Sequence, residues 1–434
     1  MKICMFTNTY LPHVGGVARS IETFSHDLRD MGHRVLIVAP VYENDTGDYQ
    51  DEGEILRLPA IQNFNGSDFS LHLPVPFLVD EKLDEFDPDI FHSHHPYLLG
   101  DTALRAARKR GRPLVFTHHT LYENYTHYVS LDSKPMRRFV ISLSTEYANM
   151  CTKVIAPSRS VADLISERGV TSPIEEIPTG VDLAFFASGK RETIRKDRGW
   201  TDNIPVIGHV GRLAPEKNLE YLAEAMALAL ENNEQAVFLV VGGGPSEETV
   251  KNIFSSRGLD RRLVMIGQKT GVDLADAYAA MDLFVFTSRT ETQGLVLTEA
   301  MAAGKPVVAL DASGTREVVR DGRNGRLLPA DTAAEEFAAA VSELCADRKL
   351  LAAYGRDAHT TAKSFSREAC AKKLVDLYQS LSQDYSPRRL EEIEDQQPWF
   401  SILEVLKAEW ELIAEKTTAA VEAFNNDDDE VSLD

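Results

Sequence analysis

Short apolar runs alternate with stretches of helical periodicity from the first residue to about position 330, the pattern of parallel sheets joined by crossover helices. In a first array the spacing predicts strands at 2–7, 34–40, 54–58, 89–92, 113–117, 153–156 and 174–177. Several are near-continuous apolar runs, as expected of strands covered on both faces. A second array repeats the scheme at 205–210, 236–241, 263–266, 283–286 and 306–309. Between the arrays, at about 183–203, a polar stretch rich in Lys and Arg reads as a linker.

The fold class this predicts is α/β, with two doubly wound, Rossmann-like domains facing a cleft. The first domain spans 1–185 and the second 204–366; a crossover helix at 367–384 follows, and an extension at 385–434 closes the chain. In that extension Phe400, Leu403, Leu406, Trp410 and Ile413 recur on one helical face, ahead of the acidic run Asn425 to Glu430. An amphipathic helix there would dock on the body or on a second copy, leaving a homodimer open.

Composition narrows the function classes. The formal net charge of −21 argues against nucleic acid as a partner, because a phosphate backbone is met by basic surface. From Asp384 onward there are 15 acids and 4 bases, net −11, so about half the excess sits in the tail. Cys4, Cys151, Cys345 and Cys370 form no metal-ligand spacing and fit reduced thiols. The chain opens on a strand-like run, and no stretch approaches the ~18 apolar residues of a membrane span. A cytoplasmic protein is expected, soluble or peripheral on the inner face of the membrane.

Candidate chemistry gathers at the ends of predicted strands. Glu291-Thr-Gln-Gly-Leu-Val-Leu-Thr-Glu299 follows one strand and opens a helix. Gly294 lets the backbone approach a ligand, amides from Leu295 onward can meet a diphosphate, and Glu299 can turn toward vicinal hydroxyls. Taken alone, two such glutamates are commonly surface charges. Gly15 and Gly16 lie between the first strand and a helix, a place where amides meet phosphate, although a lone Gly-Gly is more often a plain turn. Arg212 and Lys217 follow a second-array strand, where two cations can neutralise a departing diphosphate.

Together these runs resemble glycosyltransferase family 4. The setting Ser288-x-x-Glu291-x-x-Gly294 is similar to its donor-site motif. Further matches come in order: Tyr10-Leu-Pro-His-Val-Gly-Gly16, Pro88-Asp-Ile-Phe-His92, His119, Ala156-Pro-Ser158, Pro178-Thr-Gly-Val-Asp182, Gly211-Arg-Leu-Ala-Pro-Glu-Lys217 and Val241-Gly-Gly-Gly-Pro245. The resemblance implies the GT-B fold and a retaining, metal-independent hexosyl transfer from a nucleotide diphosphate sugar, which is substrate and not cofactor.

The resemblance also implies roles. Arg212 and Lys217 bind the diphosphate, Glu299 holds the ribose, Glu291 contacts the transferred sugar, and His119 sits under it. Gln268, Lys269 and Leu274 fall near the expected base pocket without deciding between uridine, guanosine and adenosine, with uridine the commoner choice among the resembling enzymes. No metal is expected, since cations take its place. His92, His94 and His95 are set down as a strand end. Family 4 enzymes lack the carboxylate nucleophile usual in retaining chemistry, and the resemblance implies front-face attack, with the leaving phosphate accepting the acceptor's proton.

The acceptor side falls in the first domain. Similar sequences occur in bacterial diacylglycerol glucosyltransferases of the family, which makes a lipid acceptor one expectation and a small soluble molecule the other. Tyr122 and Tyr125 lie in an aromatic stretch, and Lys134, Arg137 and Arg138 open a helix with apolar neighbours. With Arg105, Arg108, Lys109, Arg110 and Arg112 they would form a basic face for an anionic membrane, or an ordinary solvated surface. A nucleotide-sugar 2-epimerase and a catalytically silent nucleotide-sugar sensor are the rival readings.

Overall fold

The computed structural model describes residues 1–12, 15–42, 53–61, 71–72, 76–123 and 133–384. The chain forms two compact units: Met1–Pro178 together with the segment from Cys370, and Thr179–Ala369. The C-terminal extension and Tyr125 lie outside the described residues.

The first unit is built on a seven-stranded parallel sheet. Its strands are β1 (Lys2–Phe6), β2 (Arg34–Pro40), β3 (Glu54–Leu58), β6 (Ile90–Ser93), β7 (Leu114–Thr117), β8 (Lys153–Ala156) and β9 (Ile174–Glu176). The antiparallel pair β4 (Ala60–Ile61) and β5 (Leu71–His72) stands apart from it. Spatial order is β3-β2-β1-β6-β7-β8-β9. Strand β1 shows why the apolar runs are continuous. Cys4 and Phe6 pack into one core with Leu83, Phe86, Leu104 and Tyr147. Ile3 and Met5 point the other way, toward Ile21, Phe24 and Leu28. The helix Arg367–Asp384 completes that second core through Cys370, Leu374 and Tyr378.

The second unit carries six parallel strands: β10 (Val206–Val210), β11 (Val237–Val241), β12 (Leu263–Met265), β13 (Leu283–Phe286), β14 (Val307–Leu310) and β15 (Gly325–Leu328), in the order β12-β11-β10-β13-β14-β15. Read by position in the chain, this is the 3-2-1-4-5-6 order of a dinucleotide-binding sheet. The switch in winding direction falls between β10 and β13.

Two sequence expectations change. Residues 183–203 are not a linker: they fold as helices Leu183–Ala187 and Arg191–Asp197 within the second unit. Phe186 enters its core, and Arg195 is buried because its guanidinium bonds Asp282 and the carbonyls of Ala280, Thr201 and Ile204. A buried arginine with every side-chain nitrogen engaged reads as linker polarity in a sequence. Strand β15 is the second addition. It is short, and Gly325 is needed because an added Cβ would stand 1.9 Å from the Val307 carbonyl oxygen.

Gly242 holds the loop after β11 against the loop after β10. Its φ is +141°, and an added Cβ would lie 1.9 Å from the Gly211 carbonyl oxygen. Gly242→Ala is expected to destabilise the second unit by about 3 kcal/mol, through backbone strain and overpacking together. Differential scanning calorimetry would show this as a melting point lowered by ~6–12 °C. An unchanged melting point would mean that the two loops are not held at this approach.

Candidate active site

Ligand sites in doubly wound sheets form where the loops leaving two adjacent strands diverge. In the second unit these are the loops after β10 and β13. The first runs Gly211-Arg-Leu-Ala, makes a 3-10 turn at Pro215–Lys217, and enters the helix Leu219–Glu231 through Asn218 at φ 56°. Buried Leu213 and Ala214 anchor it. The second loop carries Glu291 and turns into the helix Leu295–Ala302 at Gly294, whose φ of 72° suits glycine. Side-chain and backbone bonds between Asn218 and Thr287 tie the two loops together.

This architecture brings Lys217 and Glu291 into contact, with Nζ 2.5 Å from Oε1. Each side chain is 18% exposed. Burial pushes the Glu291 carboxyl up, but the charge and hydrogen bond of Lys217, aided by Ser288 and His209, outweigh it and leave the group below its ordinary range. Arg212 pairs with Glu216 and keeps 45% of its side chain exposed. Glu299 is buried and accepts a hydrogen bond from Tyr278 Oη at 2.7 Å, which orients the carboxylate. Gln293 clamps the backbone of Thr179, accepting from its N–H at 2.8 Å and donating to its carbonyl at 2.7 Å.

The other candidates in this unit are placed less alike. Gln268 is exposed, Lys269 and Leu295 are partly buried, and Leu274 is a core residue packed in the cluster of Tyr278. His209, which the sequence did not single out, is buried beside this site. Its Nδ1–H donates to the Val285 carbonyl at 3.1 Å, and burial pushes its pKa down to about 4.

In the first unit Gly15 caps the helix Gly16–Asp30, and a Cβ at Gly16 would meet nothing within 4 Å. The strand ends of β6 and β7 assemble a histidine cluster. His92 is hydrogen-bonded to Tyr378 Oη at 2.6 Å and Thr117 Oγ1 at 2.7 Å. His94 Nδ1 lies 2.8 Å from His119 Nε2, and His95 Nδ1 accepts from the Asn8 amide at 3.2 Å. These nitrogens are engaged with one another and with hydroxyls and an amide, not pooled around a point as metal ligands would be.

His94 Nε2 is buried with no hydrogen-bond partner among the described residues. An orphan N–H is costlier than an orphan acceptor, so the shared proton belongs to His94 Nδ1 and His119 keeps its own on Nδ1. Burial pushes His92 and His119 down to about 3 and His118 to about 4, and drives His94 well below its ordinary value. All four are neutral at pH 7. Tyr122, also buried, packs edge-on to Tyr97 and His118.

The membrane candidates divide. Lys134 is exposed and Arg137 and Arg138 partly buried at the start of the helix Lys134–Asn149. The second basic group is largely neutralised by acids of the helix Pro76–Phe86 and the residue after it. Arg110 pairs with Asp80 and Asp84, Lys109 with Asp80, and Arg112 with Asp87. It therefore does not form the free basic face its composition suggested. Among the described residues no helix is long and apolar enough to cross a membrane.

An ammonium and a guanidinium at a switch point, a helix start with free amides nearby, and an oriented buried carboxylate make a site suited to a sugar nucleotide. Comparison with known proteins gives the same reading. The glycosyltransferase family 4 pattern matches residues 14–185, and that of the group 1 glycosyl transferases matches residues 190–361. Alpha-monoglucosyldiacylglycerol synthase of Acholeplasma laidlawii is 26% identical over 396 residues, covering 88% of this chain and 97% of that protein. A GDP-mannose-dependent alpha-mannosyltransferase of Mycolicibacterium smegmatis is 32% identical over 358 residues, 80% and 90% of the two chains. Among solved structures, Anabaena HepE in complex with UDP superposes with a TM-score of 0.73 at 23% identity, over 88% of this chain and all of that one. The chain is a glycosyltransferase of the GT-B fold and belongs to glycosyltransferase family 4.

Proposed function

We propose that this glycosyltransferase transfers a hexosyl group, with retention and without a metal, from UDP-glucose to a hydroxyl of a membrane lipid such as diacylglycerol. Lys217 and Arg212 hold the diphosphate and neutralise it as it leaves. Glu299, oriented by Tyr278, takes the ribose hydroxyls. Glu291 and His119 face the sugar, and Gly15 and Gly16 offer amides to the phosphate.

The observation that favours a lipid acceptor is the first two turns of the helix Lys134–Asn149. Lys134, Arg137 and Arg138 stand there beside Met136, Phe139 and Val140, and none of the six is buried. Cations set among unburied apolar side chains suit the interface of an anionic bilayer. The Acholeplasma laidlawii relative, named for glucosyldiacylglycerol, supports the same acceptor class. A second reading, mannosyl transfer from GDP-mannose, has the identity to the Mycolicibacterium smegmatis relative in its favour.

The two separate in one assay. The protein, in EDTA, is given UDP-glucose or GDP-mannose against anionic vesicles containing diacylglycerol or against soluble sugars, and nucleotide release is followed. Release of UDP that depends on diacylglycerol vesicles is expected. Release only from GDP-mannose, or only with a soluble acceptor, would overturn the donor or the acceptor assignment respectively.

A further inference from the structure

The amino-terminal end of the second sheet holds a cavity that the transfer reaction does not use. Its volume is about 830 Å³, and it lies where β10, β13 and β14 begin, against Pro205, Asp282 and Pro306. Arg212, Lys217 and Glu291 stand at the opposite, carboxyl-terminal end of these strands. One face of the helix Arg348–Ala362 forms the other wall, with Arg348, Ala352, Arg356 and Thr360 recurring every fourth residue. Small residues create the space. Gly355 approaches the loop so closely that an added Cβ would stand 2.6 Å from the Gly304 carbonyl oxygen.

The charges lining the cavity do not balance. Arg191 and Arg195 share the one carboxylate of Asp282, at 2.6 and 2.5 Å, and Arg191 reaches Asp202 only at 3.6 Å. Among the described residues the remaining cations have no carboxylate of their own. Lys305 Nζ donates to the Ala279 carbonyl at 3.0 Å, and Arg348 donates to the Asp202 carbonyl and to Asn203 Oδ1. The Arg356 guanidinium makes no hydrogen bond or ion pair among the described residues.

Burial pushes Lys305 down to about 8; the charges of Arg191 and Arg195 add to this, and Asp282 opposes it only in part. A half-buried ammonium among guanidinium groups, compensated only in part by Asp282, is a deficit that a bound anion removes. Such an excess of cations stands out in a chain of net charge −21. Met281, Pro306 and Leu351 add an apolar wall, and the volume is that of a small-molecule site, larger than a bare phosphate fills.

We infer that this cavity binds a phosphate-bearing small metabolite, its anionic group facing Lys305, Arg348 and Arg356 and its body resting on the apolar wall. The site is separate from the donor site, so the inference stands or falls independently of the sugar and acceptor assigned above. Calorimetric titration of glucose 6-phosphate into the full chain, already saturated with UDP to occupy the donor site, provides the test.

One equivalent is expected to bind. Lys305→Met and Arg356→Gln should each weaken it by at least about tenfold, the loss expected for a charge-assisted contact to phosphate. Affinity for UDP, titrated separately, should not change. Arg356 is exposed, so its variant keeps the fold whatever happens to the Lys305 variant. No binding at millimolar glucose 6-phosphate, or equal binding by the wild type and Arg356→Gln, would overturn the inference.

Discussion

Lys217→Ala is expected to lower kcat by about 10²–10³-fold, the typical cost of losing one preorganised charge partner in a transition state. Donor KM should change far less, because in the proposed role the ammonium matters most as charge builds on the departing diphosphate. The geometry adds a second signature. Lys217 is the main counter-charge holding Glu291 ionised, and without it burial is left largely unopposed, so the Glu291 carboxyl rises. The residual activity of the variant should therefore acquire a pH dependence in the weakly acidic range that the wild type lacks. The double variant with Glu291→Gln should lose less than the sum of the two single losses, because the partners are in contact. Glu299→Gln should behave differently, raising donor KM more than it lowers kcat. Equal losses of kcat and donor affinity in Lys217→Ala would contradict the role assigned to the ammonium.

Acidification from pH 7 to 5 is expected to destabilise the first unit well before the second. His92, His94, His118 and His119 are neutral in the fold, with pKa values of about 3 to 4 where a value is defined. In the unfolded chain a histidine titrates near 6.5. Between those limits the unfolded state binds more protons, so stability falls as pH drops below about 6.5 and stops falling near the folded values. At pH 5 each such group costs about 2 kcal/mol, and four neighbours that influence one another cost somewhat less than four times that. The second unit has His209 alone in this role among the shifted histidines. The depressed carboxyl of Glu291 acts in a lower window: its stabilisation is present above about 4.5 and lost as pH falls further. Hydrogen exchange should show β1, β6 and β7 losing protection by pH 5 while β10 and β13 keep theirs. Equal losses in the two units would contradict the buried, neutral cluster.

Much of the architecture was legible because strands covered on both faces are written as unbroken apolar runs. Polarity that serves the interior was not legible. Arg195 made 183–203 look like a linker, although its donors are satisfied by backbone carbonyls and Asp282. Lys109, Arg110 and Arg112 looked like a free basic face, because their acidic partners lie 25 to 30 residues earlier, beyond the reach of any helical period. The pairing of Tyr278 with Glu299 crosses from one helix to another and leaves no local signal.

The contact of His94 with His119 follows from the pairing of β6 with β7 and was not read from the sequence. Parallel register sets Ser93 against Phe116, which carries the residues just beyond β6 and β7 to the same sheet end. What the sequence could not supply was the ring geometry that makes one imidazole the donor. Lys217 and Glu291 lie 74 positions apart. Only the neighbouring places of β10 and β13, themselves set by the order of the sheet, make a pair of them.

The central claim, retaining transfer driven by protein cations in place of a metal, is tested most directly by the anomeric configuration of the product. The protein, in EDTA, is incubated with UDP-α-glucose and diacylglycerol vesicles, and the anomeric proton of the glucolipid is read by NMR. An α-glucoside formed at a rate unaffected by the chelator is predicted. A β-glucoside, or activity abolished by EDTA and restored by a divalent cation, would contradict the account.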